Sequence, residues 1–232
     1  MILAGGKNKA NPCDDVPTDS CWNRPVPCRT VLRIRINYVF SERVIVTECW
    51  PASKEPATVK QLLSESQLKE GIDQMAAEIM RRYGQKPITI VAVMTGSLVM
   101  LADLIRRLTM PVRVSLIQAS SYRGGTKPGD LWVKADMMLD VTDRDVLVAD
   151  DIFDTGKTLR AVVDCIESMR PRSVATVVLL HKVGRQEVSM EPDFAAFRIP
   201  DEFVVGYGLD YQDLYRNLPF LAVLEAGDIE ST

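Results

Sequence analysis

Residues 88–93, ITIVAV, form a continuous run in which β-branched residues dominate, and Thr89 is its one polar position, so no alternation marks a solvent face. Such a run belongs to a strand buried on both faces, which is the habit of parallel sheets. The turn Met94-Thr95-Gly96-Ser97 follows, and residues 98–108 then repeat apolar side chains at helical spacing. The pattern returns further on. Strands are predicted over 112–118, 146–149 and 174–180, and a helix over 156–169. Alternating strands and helices predict an α/β fold, a doubly wound parallel sheet with right-handed crossovers. Ligands of such sheets sit beyond the carboxyl ends of the strands, so the loops there are where chemistry is expected.

At 232 residues and 47% hydrophobic, the chain can bury one well-formed core. Its formal charge of −3 speaks against a scaffold that holds nucleic acid by general phosphate attraction, so no nucleic-acid partner is expected. Cys13, Cys21, Cys28 and Cys49 fall early without a C-x-x-C pair, and Cys165 stands alone in a helical stretch. That usage fits neither a zinc site nor a disulfide framework and predicts a reducing, cytoplasmic setting. No apolar run approaches the ~20 residues of a membrane span, so no membrane partner is expected.

Residues 1–57 are rich in Pro, Cys, Asn and Asp, and only 31–40 and 43–46 look strand-like. This part is expected to be a poorly structured extension ahead of a catalytic domain over 58–232. Two readings of it stand: a start codon assigned too far upstream, with Val59 as a candidate start, or a genuine arm used in assembly. Leu68, Ile72, Met75, Ala76 and Ile79 then fall at helical spacing, with Ser64 and Gln67 placed as a capping box and Gly84 as a stop. Residues 120–131, SSYRGGTKPGDL, read as a mobile lid loop, and 132–136 with 137–141 as a short antiparallel ribbon.

The sharpest segment is VLVADDIFDTGKTL, residues 146–159. A buried strand ends in two adjacent carboxylates, and a short turn opens a helix. Backbone N–H groups of Asp154, Thr155, Gly156, Lys157 and Thr158, with the two threonine hydroxyls, can wrap a phosphate at the positive helix end. A triphosphate-binding P-loop would need glycine where Asp151 stands. An ordinary capped helix would account for Asp154 and Thr155 but not for Asp150 beside Asp151, because buried unpaired charges are costly.

This segment resembles the signature of the type I phosphoribosyltransferases over all of its positions. Two further segments, LLHKVGR at 179–185 and FVVGYGLDYQDLYRNL at 203–218, resemble the purine-binding parts of the hypoxanthine-guanine phosphoribosyltransferase family. The resemblance runs from about Ser64 to the C-terminus. It implies the family's fold with a small hood and a lid, and transfer of ribose 5-phosphate from phosphoribosyl pyrophosphate to hypoxanthine or guanine with Mg²⁺. Homodimers or homotetramers are implied for assembly.

Roles follow residue by residue from that resemblance. Asp150 and Asp151 would bind the ribose hydroxyls, directly and through magnesium, with Asp210 as a further metal residue. Asp154, Thr155, Gly156, Lys157 and Thr158 would hold the 5′-phosphate, and Asp154 would move the proton at N7 of the base. Lys182 would donate to O6, Phe203 would stack on the ring, and Val204 and Asp210 would meet its far edge. Thr95 and Gly96, in a loop with a cis peptide, and Arg216 would hold pyrophosphate. Ser121 and Tyr122 would root the lid. The family often has a basic residue where this chain has Thr95, so the loop is expected to hold pyrophosphate through its backbone. His181 is read as a strand-end residue and Trp132 as hairpin packing. Within enzymes, xanthine stays open as a substrate, whereas a donor at Lys182 mismatches the amino group of adenine. A regulator that senses phosphoribosyl pyrophosphate and contacts nucleic acid is the alternative class, and Arg33 with Arg35 is its only hint.

Overall fold

The computed structural model describes residues 43–45, 58–121, 131–134 and 139–225. In chain order these form β1 (Arg43–Ile45), β2 (Thr58–Leu63), α1 (Glu65–Tyr83), β3 (Ile88–Met94), α2 (Leu98–Ile105), β4 (Val112–Ser121), β5 (Leu131–Lys134), β6 (Asp145–Phe153), α3 (Lys157–Glu167), β7 (Ser173–Lys182), β8 (Phe194–Ile199), β9 (Val204–Val205) and β10 (Leu221–Val223). The main sheet has the order β5-β4-β3-β6-β7-β8. Its strands from β4 to β8 run parallel, and only β5 is antiparallel.

The absence of polar alternation in the central strands is explained by what covers them. Ile88, Ile90 and Ala92 of β3 face the core under α1 and α2, while Val91 and Val93 face the opposite core under α3. Leu147 and Ala149 of β6 divide from Val146 and Val148 in the same way. Both faces are therefore dry, and the sheet is doubly wound as predicted.

The helix α1 starts where its capping box lies. Ser64 accepts from the Gln67 backbone N–H, the Gln67 side chain accepts from the Ser64 N–H at 2.9 Å, and Gly84 closes the helix. The helix α2 ends at Ile105, short of the predicted 108, where Arg107 N–H turns back to the Leu104 carbonyl. The predicted ribbon is also corrected. The strand β5 pairs with the end of β4, Leu131 opposite Ser121 and Lys134 opposite Gln118, and residues 139–141 are not strand. The physical reason is that the edge of β4 facing away from β3 has no other strand among the described residues, so β5 takes up the backbone groups there. Residues 122–130, which include Tyr122, lie outside the described residues, as does almost all of 1–57 apart from 43–45.

The second sheet, β1-β2-β10-β9, is antiparallel and sits on its own small core of Val59, Val205, Tyr215, Leu218, Phe220, Ala222 and Leu224. This is the hood. Chain direction fixes where the cleft opens: from β3 the chain moves outward to β4, then returns to β6 on the other side of β3. The loops after β3 and β6 therefore diverge, leaving a crevice at the carboxyl ends of two adjacent strands.

Candidate active site

That crevice is an open cleft of about 410 Å³ lined by Thr95 and Gly96 after β3, Asp150 and Asp151 at the end of β6, Asp154, Thr155, Gly156 and Thr158 at the start of α3, and Asp210 and Arg216 from the segment between β9 and β10. Sequence segments more than a hundred residues apart thus meet at one place.

The carboxylate pair is its centre. Asp150 is 6% exposed and accepts from the Asp151 backbone N–H at 3.0 Å. Burial, and then the charge of Asp151, push the Asp150 carboxyl well above the usual carboxylate range. Burial also raises Asp151, while its hydrogen bond with Asp150, backbone N–H groups and lastly the Arg216 guanidinium pull it the other way. A Cβ added to Gly96 would lie 1.6 Å from Asp151 Oδ2, so glycine is what lets this carboxylate lie against the loop. The loop carries a cis peptide between Met94 and Thr95. The adjacent carboxylates, Asp150 buried and Asp151 half-buried, present hard oxygens that suit Mg²⁺. Among the described residues no three His, Cys, Asp or Glu side chains gather into a metal cage. Asp210 does not complete one: its carboxylate is 2.7 Å from Arg216 Nη2 and accepts from the Asp213 N–H at 2.9 Å.

The phosphate nest takes shape at α3. Gly156 is the N-cap at φ 81° and no side chain caps the helix; the Lys157 N–H makes only a long bond to Thr155 Oγ1, 3.4 Å, so the positive helix end stays able to take an anion. A Cβ at Gly156 would come within 2.4 Å of Val188. Lys157 contributes only main chain here, since its ammonium pairs with Glu187 away from the cleft.

Asp154 and Lys182 stand side by side, Nζ to Oδ2 3.5 Å, with the Lys182 side chain only 9% exposed. Phe203 is 41% exposed and stands perpendicular to the Tyr211 ring with ring centroids 5.4 Å apart, so much of its aromatic surface is exposed. Val204 is buried in β9 opposite Val223 of β10. Arg216 donates to the Gly208 carbonyl at 2.8 Å, and a Cβ at Gly208 would lie 2.2 Å from the Gly96 carbonyl. The segment carrying Asp210 and Arg216 therefore packs directly on the loop after β3. Ser121 ends β4 at the edge of the sheet. His181 is buried with its ring edge-on to Phe153 at 5.2 Å, a packing position.

Two residues that sequence reasoning gave no role are drawn in. Arg185 Nε lies 2.9 Å from Asp154 Oδ1, and Arg185 Nη1 donates to both oxygens of Asp201, whose Oδ1 is 3.4 Å from Lys182 Nζ. The Arg185 guanidinium, and then Lys182, hold the Asp201 carboxyl below its ordinary range. A third tie, Tyr207 Oη donating to Asp103 of α2, joins the segment after β9 to the helix that follows Gly96. Burial, and then Asp103, push the Tyr207 phenol upward.

Comparison with known proteins agrees with this geometry. Residues 58–212 match the phosphoribosyl transferase domain. The hypoxanthine-guanine phosphoribosyltransferase of Staphylococcus epidermidis is 37% identical over 166 residues, 71% of this chain and 93% of the relative. A crystal structure of a hypoxanthine-guanine phosphoribosyltransferase from Bacillus anthracis superposes with TM-score 0.66 at 38% identity, covering 71% of this chain and 97% of that one. A ternary substrates complex of the Trypanosoma cruzi hypoxanthine phosphoribosyltransferase gives TM-score 0.68 at 35% identity, covering 72% and 96%. The chain belongs to the phosphoribosyltransferase family, in its hypoxanthine-guanine branch.

Proposed function

We infer that the chain transfers the phosphoribosyl group of phosphoribosyl pyrophosphate to a 6-oxopurine, hypoxanthine or guanine, releasing pyrophosphate and forming IMP or GMP. The observation that carries this reading is the meeting of the Asp150–Asp151 pair and the uncapped start of α3 in one cleft, beside the Asp154–Lys182 pair. Carboxylates suit ribose hydroxyls, N–H groups suit a phosphate, and a lysine beside an aspartate suits a base with a carbonyl at one edge and a titrating nitrogen next to it.

Each group then has a task. The N–H groups and hydroxyls of Thr155 to Thr158 anchor the 5′-phosphate, while Asp150 and Asp151 take the ribose hydroxyls. Mg²⁺ held at Asp150 and Asp151 would neutralise charge on the departing pyrophosphate. The loop of Thr95 and Gly96, with the Arg216 guanidinium, binds that leaving group as its charge grows. Lys182 fixes the base through O6, Phe203 stacks on it, and Val204 and Asp210 meet its far edge through main-chain groups. Asp154 takes or returns the proton at the base nitrogen. An oxocarbenium-like ribose would be trapped by water, so a cover over the cleft is required, and the segment that Ser121 and Tyr122 begin is its candidate. A catalytic domain over 58–232, a cytoplasmic setting and a homodimer or homotetramer belong to the same reading. Among the described residues no helix is long and apolar enough to cross a membrane.

The test is a panel of hypoxanthine, guanine, xanthine and adenine with phosphoribosyl pyrophosphate, with and without Mg²⁺, reading pyrophosphate and nucleotide. Turnover of hypoxanthine or guanine that chelation abolishes is expected. Failure to use any 6-oxopurine would overturn the reading.

A further inference from the structure

Lys182 ends β7 and Ile199 ends β8, and the two are register partners in parallel neighbouring strands. Two residues beyond Ile199 stands Asp201, and three beyond Lys182 stands Arg185, returned toward the sheet by a turn with Gly184 at φ 86°. Parallel pairing of β6 with β7, Phe153 opposite His181, sets Asp154 beside them, so two carboxylates and two cations meet at one point. Lys182 Nζ lies 3.5 Å from Asp154 and 3.4 Å from Asp201. The Arg185 guanidinium spans the same two carboxylates, 2.9 Å to Asp154 and 3.0 Å to Asp201.

We propose that Arg185 and Asp201 are positioning residues for the purine: together they aim the Lys182 ammonium and the Asp154 carboxylate, without touching substrate themselves. The arrangement is a ring of alternating charge and so is neutral as a whole. Lys182 is its one buried member, its side chain 9% exposed against 35% to 49% for the other three, and a buried ammonium needs fixed anionic partners. Its contacts to both carboxylates are long, so its donors are steered but not saturated, and a carbonyl oxygen can still be met. Asp154 is handled differently. Arg185 Nε lies beside Oδ1 without hydrogen-bond alignment, and Oδ1 has no hydrogen-bond donor, so that oxygen is held in place yet remains able to take a proton. Glu187 also faces Arg185, from the turn that follows.

This inference rests on the transfer reading and extends it to residues outside the cleft lining. Its test compares Asp201→Asn, Asp201→Glu and wild type in steady-state kinetics with each substrate varied. Asp201→Asn should raise KM for hypoxanthine or guanine roughly tenfold and leave KM for phosphoribosyl pyrophosphate within about twofold, because the 5′-phosphate and ribose contacts lie elsewhere. Asp201→Glu should restore most of the loss. Asp201 is half exposed, so both variants should fold, and matching melting temperatures would verify it. Unchanged kinetics in Asp201→Asn, or equal rises in both KM values that glutamate does not restore, would overturn the proposal. A crystal structure of Asp201→Asn without ligand gives a reading independent of turnover: Lys182 Nζ should leave its shared position and close on Asp154 alone. An inactive wild type with that displacement would defeat the transfer reading and keep the positioning role. An unmoved Lys182 would defeat the positioning role whatever the activity.

Discussion

Asp154 shows how a residue can matter to a reaction and little to a fold. Its side chain is 35% exposed and pairs with Arg185, itself 43% exposed, without an aligned hydrogen bond, so the pair contributes little to stability. Asp154→Asn keeps shape and hydrogen-bonding reach but cannot carry the proton, so kcat should fall roughly 10²- to 10⁴-fold with an unchanged melting temperature. Near-wild-type turnover would move proton transfer to another group. Gly96 makes the opposite case, since its role is to be absent: a methyl group there would collide with Asp151. Gly96→Ala should lower kcat/KM for phosphoribosyl pyrophosphate by about 10- to 100-fold, because a displacement of about 1 Å at a reacting centre is enough for that. Asp150, Asp151 and Asp154 were legible because the motif that holds them is contiguous. Arg185 and Asp201 were not: Arg185 stands three residues from Lys182, but its partners Asp154 and Asp201 reach it through the register of β7 against β6 and β8, which no short segment of sequence carries.

Elements were legible where their signals are local. The start of α1 follows from Ser64 and Gln67 and its end from Gly84, and all three stand in the predicted places. The partner of β5 was missed because pairing is a property of two strands. The packing of α1 was equally hidden. Gly71 lies in the middle of that helix, where glycine costs about 1 kcal/mol relative to alanine, so its presence asks for a reason. The reason is Phe197 of β8, whose ring would lie 2.2 Å from a Cβ at that position. Gly71→Ala should therefore destabilise the fold by about 1–3 kcal/mol despite its better helix propensity. Adding Phe197→Leu should recover part of that loss, so urea melts of the two single variants and the double variant should show favourable coupling. Additive losses would mean that the helix, and not its contact with β8, is what the substitution disturbs.

For the molecule as a whole, the crossing point of its topology is also where two adjacent carboxyls are pushed up by burial. The sheet puts Asp150 and Asp151 together at the end of β6 because that is where the loops diverge, and burial raises both carboxyls. A carboxyl raised in the folded state binds its proton more tightly there than in the unfolded chain, where it titrates near ~3.9. The native state then holds more protons between the two values, so stability falls as pH rises through that window. The contribution is fully present below the unfolded value and lost once pH passes the raised one. Asp150→Asn removes the titration and keeps the shape, so in protein stripped of divalent cations it should raise the melting temperature at pH 7.5 and do so less at pH 4.5, while abolishing transfer. Mg²⁺ should act on the same charge. At a concentration of about 100 Kd it should stabilise wild type by about 2.7 kcal/mol, with a much smaller gain in Asp150→Asn. Stability and function are thus opposed at one pair of side chains, a cost that active sites commonly carry. Thermal scans of both proteins at the two pH values, with EDTA and with Mg²⁺, decide it: a variant less stable than wild type at pH 7.5 in EDTA would show that the pair is satisfied without a cation.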